Sequence, residues 1–212
     1  MKEKDRGKGA RSGDGAVQEG LQNLLYQVLE TELGGVQVYR TAIACAVNDE
    51  LRDEWAKYLS ETERHVEIAR GLLQGMGLDP DADVPGRSVV RHIEESLVEA
   101  MKVARAAGKP DAAQVVAAEC LVCAETVDHL NWELVGLIAK KIKGDAGKML
   151  REAHEEVEKQ EDHHLYHSTG WARELWIQSL GQPAVLPPPE EEKNVETAIG
   201  AARAKNARSD LL

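Results

Sequence analysis

The chain has 212 residues, enough for one domain with a large core. Its formal net charge of -11 argues against binding to nucleic acid or anionic membranes, since both attract basic surfaces. No apolar run reaches the roughly 18 residues of a membrane span. The three cysteines follow no secretory signal, which predicts a cytoplasmic protein without structural disulfides. Ala, Glu, Leu and Val are abundant, which favours helices.

The N-terminal part of the sequence predicts a lead-in followed by a helical hairpin. Residues 1–16 are charged and rich in glycine, so we expect them to be disordered. Apolar residues recur at three- and four-residue spacing over about 17–46, which predicts a first long helix. A break at residues 48–49 precedes a second stripe over 51–72. The connection is so short that the two helices should be antiparallel.

The middle of the chain predicts a long crossover and a second hairpin. Residues 78–87 carry two prolines and a glycine and cannot continue a helix. A shorter amphipathic helix is expected over 89–106, followed by long helices over about 112–142 and 148–180. The prediction is therefore an all-α protein, a four-helix bundle over 17–182 with a short extra helix in its crossover.

The C-terminal segment, residues 183–212, differs from the rest in composition. Three consecutive prolines end any helix, and the remainder lacks bulky core residues. We expect an extended arm with a short peripheral helix. Such an arm can wrap a neighbouring subunit, which favours a homo-oligomer.

Polar residues interrupt the inward-facing stripes of all four long helices. They are Glu32, His65, Glu125, His129, Glu161 and His164. Burying a charged group is costly unless it is paired or bound to a metal ion. These residues are therefore the candidates for a functional site.

The first hairpin should bring its candidates to one level. Its turn lies near residues 47–49, so Glu32 falls opposite the low sixties, where Glu61 and His65 are found. A lone glutamate from one helix thus faces an acid and a histidine from the next.

The second hairpin repeats this arrangement independently. Its turn lies near residues 143–147, so Glu125 falls opposite Glu161 and His164. Two cations a few ångströms apart need bridging carboxylates and histidines, and Glu-x-x-His points both side chains at one ion. The two registers together predict a buried site for two metal ions.

Three positions leave alternatives open. Thr62 precedes His65 by three residues, so the second helix lacks Glu-x-x-His, although Glu61 one residue earlier can still converge on a metal. His129 is either a metal ligand or an outer donor that orients a carboxylate. Tyr39 lies two helical turns from Glu32. We expect its hydroxyl to form a hydrogen bond with a metal-binding carboxylate, or its ring to be oxidised beside the metals.

These motifs resemble the ferritin-like di-iron and di-manganese carboxylate superfamily, which includes ferritins, bacterioferritins, rubrerythrins and manganese catalases. The first helix, ETELGGVQVYR, is similar to that family's first helix through Glu32 and Tyr39. The second helix, LSETERHVEIARGLL, matches through His65, but Thr62 stands in place of the family's glutamate. The resemblance covers about 21–180 and implies a ferritin-like bundle.

The third and fourth helices match the family through Glu125, Glu161 and His164. The resemblance implies that Glu32 and Glu125 bridge two iron or manganese ions while His65 and His164 each hold one. It further implies reaction with dioxygen or hydrogen peroxide, of the ferroxidase, peroxidase or catalase type. The alternative is a non-catalytic bundle, degenerate at Thr62, that serves as a metal reservoir or an interaction scaffold.

Overall fold

The structure, a computed structural model, describes residues 8–212, and these contain α-helices and no strand. The helices are α1 (Lys8–Ile43), α2 (Asp49–Gly75), α3 (Pro85–Ala106), α4 (Pro110–Ala139), α5 (Gly144–Ser179), α6 (Pro189–Glu192) and α7 (Ala198–Asn206), followed by a 3₁₀ turn at Ala207–Leu211. The all-α prediction is confirmed. None of the helices in this part of the chain is long and apolar enough to cross a membrane.

Local sequence explains where the helices begin and end. The Asn48 side chain accepts a hydrogen bond from the Leu51 N–H and so caps the start of α2. Both α3 and α4 begin at a proline, which lacks the N–H that a first turn leaves unpaired. After α2, Gly77 adopts a positive φ of 74°, a conformation that suits glycine and ends the helix.

The four long helices pack as two antiparallel hairpins. In one hairpin α1 packs on α2, and in the other α4 packs on α5. The hairpins meet where α1 lies against α4 and α2 against α5. The crossover helix α3 returns the chain to the opposite end and packs on both α1 and α4. It begins at Pro85, four residues before its predicted start, because proline at a first turn is compatible with helix.

Two apolar clusters fill the interior at opposite ends of the hairpins. One contains Tyr39, Trp55 and Trp171, and the other contains Leu29 and Trp132. Each long helix places buried polar residues between these two clusters: Glu32 on α1, His65 on α2, Glu125 on α4 and Glu161 on α5. The apolar ends therefore enclose a polar layer at mid-height.

The two terminal segments differ from their predicted forms where the structure describes them. Residues 1–7 of the expected lead-in lie outside the described residues, and α1 already begins at Lys8, since extending an existing helix costs little. The C-terminal arm does not project away from the bundle. Arg173 binds Glu190 through two hydrogen bonds of 2.7 Å, and Arg208 binds the fully buried Glu174, so the arm packs along α5.

Candidate metal centre

The polar layer brings together five of the predicted ligands, all of them buried. They are Glu32 from α1, His65 from α2, Glu125 from α4, and Glu161 and His164 from α5. Their ligand atoms form two groups of three, each small enough to surround one cation. One group contains Glu32 and His65, the other Glu125 and His164, and Glu161 belongs to both. Glu161, rather than Glu32 or Glu125, is thus the carboxylate common to both groups.

Both histidines direct the same ring nitrogen towards the centre. His65 Nδ1 lies 2.9 Å from Glu161 Oε1 and 3.6 Å from Glu32 Oε1. His164 Nδ1 lies 3.5 Å from Glu125 Oε2 and 3.6 Å from Glu161 Oε1. The centre therefore has one inward imidazole nitrogen on each side of the shared carboxylate.

The outer nitrogens of the two rings are held by oxygen acceptors. His65 Nε2–H donates to Gln160 Oε1 at 2.8 Å, and His164 Nε2–H donates to Glu61 Oε2 at 2.9 Å. A metal-binding histidine typically makes such a bond, because it fixes the tautomer and leaves the other nitrogen free for the ion. Glu61 therefore lies behind His164 rather than in either group of three.

The inward atoms are left without hydrogen bonds to any described residue. This set comprises Glu32 Oε2, His65 Nδ1, Glu125 Oε2, both carboxylate oxygens of Glu161, and His164 Nδ1. The other oxygen of Glu32 accepts a 2.6 Å hydrogen bond from Trp132 Nε1–H. Unsatisfied buried polar groups are rare in proteins because each costs free energy. Cations at this position would satisfy them, so the residues fit a metal pair.

Electrostatics within the layer is dominated by the carboxylates. Burial by itself lowers the pKa of His65, but the charges of Glu32 and Glu161 outweigh it and raise that pKa to about 11. Burial likewise opposes the charged form of His164, whereas Glu125 and Glu61 raise its pKa to about 9. Burial raises the pKa of Glu161 to about 7 despite its contact with His65. Without metal, the layer therefore compensates its charge with protons.

A further acid, Asp128, belongs to this layer and was not among the predicted ligands. Its side chain is buried, and Oδ1 has no hydrogen-bond partner among the described residues. Burial and the neighbouring charges of Glu161 and Glu32 raise its pKa well above the ordinary value. Asp128 joins Glu32, Glu125 and Glu161 as a fourth buried carboxyl group of the layer. When ionised, these four groups carry four negative charges, which match the charge of two divalent cations beside neutral imidazoles.

The sequence contained a signal for Asp128, which lies three residues after Glu125 and so on the same helical face. The prediction instead named His129, one residue further along, as either a metal ligand or an outer donor that orients a carboxylate. His129 Nε2–H instead donates to Asp162 Oδ1 at 2.8 Å and lies partly exposed outside both groups. Glu94 of α3 was also missed; it is buried near Glu125, and burial raises its pKa to about 7. No pattern in the sequence indicates how α3 docks.

The remaining predicted residue, Tyr39, is fully buried beside the centre. Its ring packs edge-on against His164 with 6.1 Å between ring centroids. Burial, followed by the charge of Glu125, raises the pKa of Tyr39 well above its usual value, so its hydroxyl keeps its proton. Thr62 turns its hydroxyl away and donates to the Tyr58 carbonyl at 2.9 Å.

No protein-family model matches this chain, and no curated protein or solved structure is similar to it at a significant level. The geometry of the centre is therefore the basis on which a function can be inferred.

Proposed function

We propose that the chain is a ferritin-like metal-binding protein whose buried layer holds two iron or manganese ions and reacts with dioxygen or hydrogen peroxide. The observation that carries the proposal is the sharing of Glu161 by two buried groups, each with an inward Nδ1 and a second carboxylate. A carboxylate common to two such groups is suited to bridge a pair of cations. The antiparallel hairpins and the long crossover support the ferritin-like part of this proposal.

Bound iron or manganese would supply redox electrons and Lewis acidity to an oxygen substrate. The protein residues orient and protect that chemistry. Gln160 and Glu61 hold the two imidazoles, and Trp132 holds Glu32. The apolar clusters above and below limit the access of water to the layer. Tyr39 keeps the proton on its hydroxyl, because burial and the charge of Glu125 raise its pKa, and it can therefore act as a neutral hydrogen-bond donor beside the centre.

A second candidate function is a non-catalytic bundle, favoured by one observation. Thr62 offers no carboxylate and its hydroxyl is bonded to its own helix. The imidazoles and carboxylates can also neutralise one another, since the pKa of His65 is raised by Glu32 and Glu161 against the effect of burial. In that case the bundle would remain folded without metal and would serve as a metal reservoir or scaffold.

The test is a comparison of metal content between the natural chain and Glu161→Gln. We expect the natural protein, loaded anaerobically with Fe(II) or Mn(II), to bind about two more ions per chain than the variant. Addition of dioxygen or peroxide should then oxidise the metal in the natural protein alone. Glu158→Gln, an exposed acid on the same helix, is the control and should behave like the natural chain.

Equal metal content in the natural protein and Glu161→Gln would refute the metal centre. Binding of the extra ions without any oxidation by either oxidant would instead favour the reservoir. Elemental analysis and the absorbance change on oxidation distinguish these results.

A further inference from the structure

A second group of metal-ligand side chains lies where the C-terminal arm meets the bundle. It consists of Glu54 from α2, His167 from α5 and Glu191 from α6. One ligand atom from each lies within 4.8 Å of the others. The group shares no residue with the candidate metal centre. It was not indicated by the sequence, because Glu191 reaches it only when the arm folds back on α5.

The histidine of this group has the tautomer that metal binding requires. His167 is buried, and its Nε2–H donates to the Val195 carbonyl at 3.1 Å. A backbone carbonyl accepts only, so the proton of a neutral ring is fixed on Nε2. The lone pair of Nδ1 accepts a hydrogen bond from the Tyr58 hydroxyl at 2.9 Å, and Glu191 Oε2 lies 2.9 Å from the same nitrogen, so an ion bound at Nδ1 would replace the Tyr58 proton.

The two carboxylates of the group are incompletely satisfied. Glu54 Oε1 and Glu191 Oε2 are enclosed and have no hydrogen-bond partner among the described residues. The nearest positive group is Lys57 Nζ, 3.6 Å from Glu54 Oε1, and its side chain is 53% exposed. It can move into solvent at little cost. The two carboxylates beside the imidazole thus lack a tightly held lysine or arginine partner.

We propose that Glu54, His167 and Glu191 form a separate site for one Mn(II) or Fe(II) ion, which fastens the C-terminal arm to the bundle. Carboxylate oxygens with a single imidazole suit these cations. The bound ion connects three helices, and Glu191 is its only ligand from the arm. Tyr58 lies between this site and the metal centre, with its ring 4.2 Å from that of His164. The proposal does not depend on the buried pair being occupied.

The test titrates Mn(II) into the Glu161→Gln chain while the free ion is followed by its EPR signal. We expect one ion per chain in this background. Adding Glu191→Gln or Glu54→Gln should weaken Mn(II) binding by at least roughly 10–100-fold. This is the loss that follows removal of a residue that only orients a metal ligand, and a direct ligand should matter no less. Adding Glu192→Gln, the exposed neighbour on α6, should leave it unchanged.

Amide hydrogen exchange supplies a second measurement in case a double variant folds poorly. It is done in chains that keep Glu161. Mn(II) should slow amide exchange over residues 189–195 in the natural protein and in Glu192→Gln, but not in Glu191→Gln. Equal Mn(II) affinity in all variants, no binding in the Glu161→Gln chain, or exchange unaffected by Mn(II) would each overturn the site. Loss of the buried pair alone would leave these results intact, so the two proposals fail separately.

Discussion

Glu61 and Thr62 are neighbours on α2 with different relations to the metal centre. The Glu61 carboxylate holds the outer nitrogen of His164, while the Thr62 hydroxyl is bonded to its own helix. Gly35 faces Thr62, and a Cβ added there would come within 3.3 Å of the threonine methyl carbon. The absence of a side chain at Gly35 therefore avoids crowding of the residue at position 62.

We predict that Thr62→Glu tightens binding of the ion beside His65, because a carboxylate can coordinate and a protonated hydroxyl is a poor ligand. Glu61→Ala should instead weaken the ion beside His164 by roughly 10–100-fold, since that histidine loses its orienting partner. Titration with Mn(II) measures both effects. Glu63→Ala, paired with the exposed Arg40, is the control. If neither substitution changed stoichiometry or affinity, α2 would have no role in coordination beyond His65.

At the scale of single residues, helical spacing and the positions of the turns predicted where the site lies. They were less successful in predicting which side chains belong to it. The two hairpin turns correctly placed Glu32 near His65 and Glu125 near His164. Spacing could not separate Asp128 from its neighbour, because residues three and four positions after Glu125 both lie near its face. Only packing shows that the aspartate points inward and the histidine to Asp162.

At the scale of elements, α3 is held to α1 by close contact and by an ion-pair network. A side chain at Gly34 would collide with Glu94, so this glycine permits the close approach of the two helices. Glu30 accepts 2.6 Å hydrogen bonds from the guanidinium groups of Arg87 and Arg91. Arg87 also donates to the Pro80 carbonyl. The crossover is thereby tied to the bundle through one buried carboxylate.

We predict that Glu30→Gln lowers the free energy of unfolding at neutral pH by about 2 kcal/mol, the size of charged hydrogen bonds. Burial opposes the charged form of Glu30, but Arg91 and Arg87 outweigh it and lower its pKa below 4.5. Its contribution is thus present above pH 4.5 and is lost as the pH falls through the lowered value. The difference in free energy of unfolding between Glu30→Gln and the natural protein, measured by urea unfolding, should therefore become smaller as the pH is lowered.

The control for this prediction is Glu99→Gln, an exposed acid on α3, the helix that Glu30 ties to the bundle, and this substitution should change stability little. A Glu30→Gln deficit that stayed constant between pH 7 and pH 3 would contradict the role of the ionised carboxylate.

The sequence predicted the long helices well because each has an apolar stripe that repeats over many turns. It predicted the tertiary position of α3 and the arm poorly. Amphipathic spacing does not specify which bundle face receives α3, and Arg208 meets Glu174 only after the chain has folded back. The composition of residues 183–212 suggested an extended arm, whereas these long-range ion pairs fix it on α5.

For the whole molecule, the proposed metal centre would link the docking of the two hairpins to the protonation of the layer between them. In metal-free protein the pKa of His65 is about 11 and that of His164 about 9, because nearby carboxylates outweigh burial. Each imidazole must release a proton before its Nδ1 can bind an ion. Metal affinity should therefore increase with pH across the neutral range.

We predict that the rise in Tm on adding excess Mn(II) becomes larger from pH 6 to pH 8. At a free-ion concentration one hundred times the dissociation constant, one bound ion stabilises the fold by about 2.7 kcal/mol. Thermal unfolding with Mn(II), and with a chelator as control, measures the change. A shift in Tm that was the same at both pH values would mean that binding releases no proton from these histidines.

The two groups of three ligands that share Glu161, here called the halves of the proposed centre, differ in how far apart their members lie in the sequence. Glu125, Glu161 and His164 belong to one hairpin, so the closure of α4 on α5 brings these three side chains together, and the first hairpin adds Glu61 behind His164. The other half draws Glu32 and His65 from the first hairpin and exists only when both hairpins are docked. A substitution in α1 or α2 can therefore remove one ion while sparing the other, whereas loss of Glu161 removes the common ligand of both.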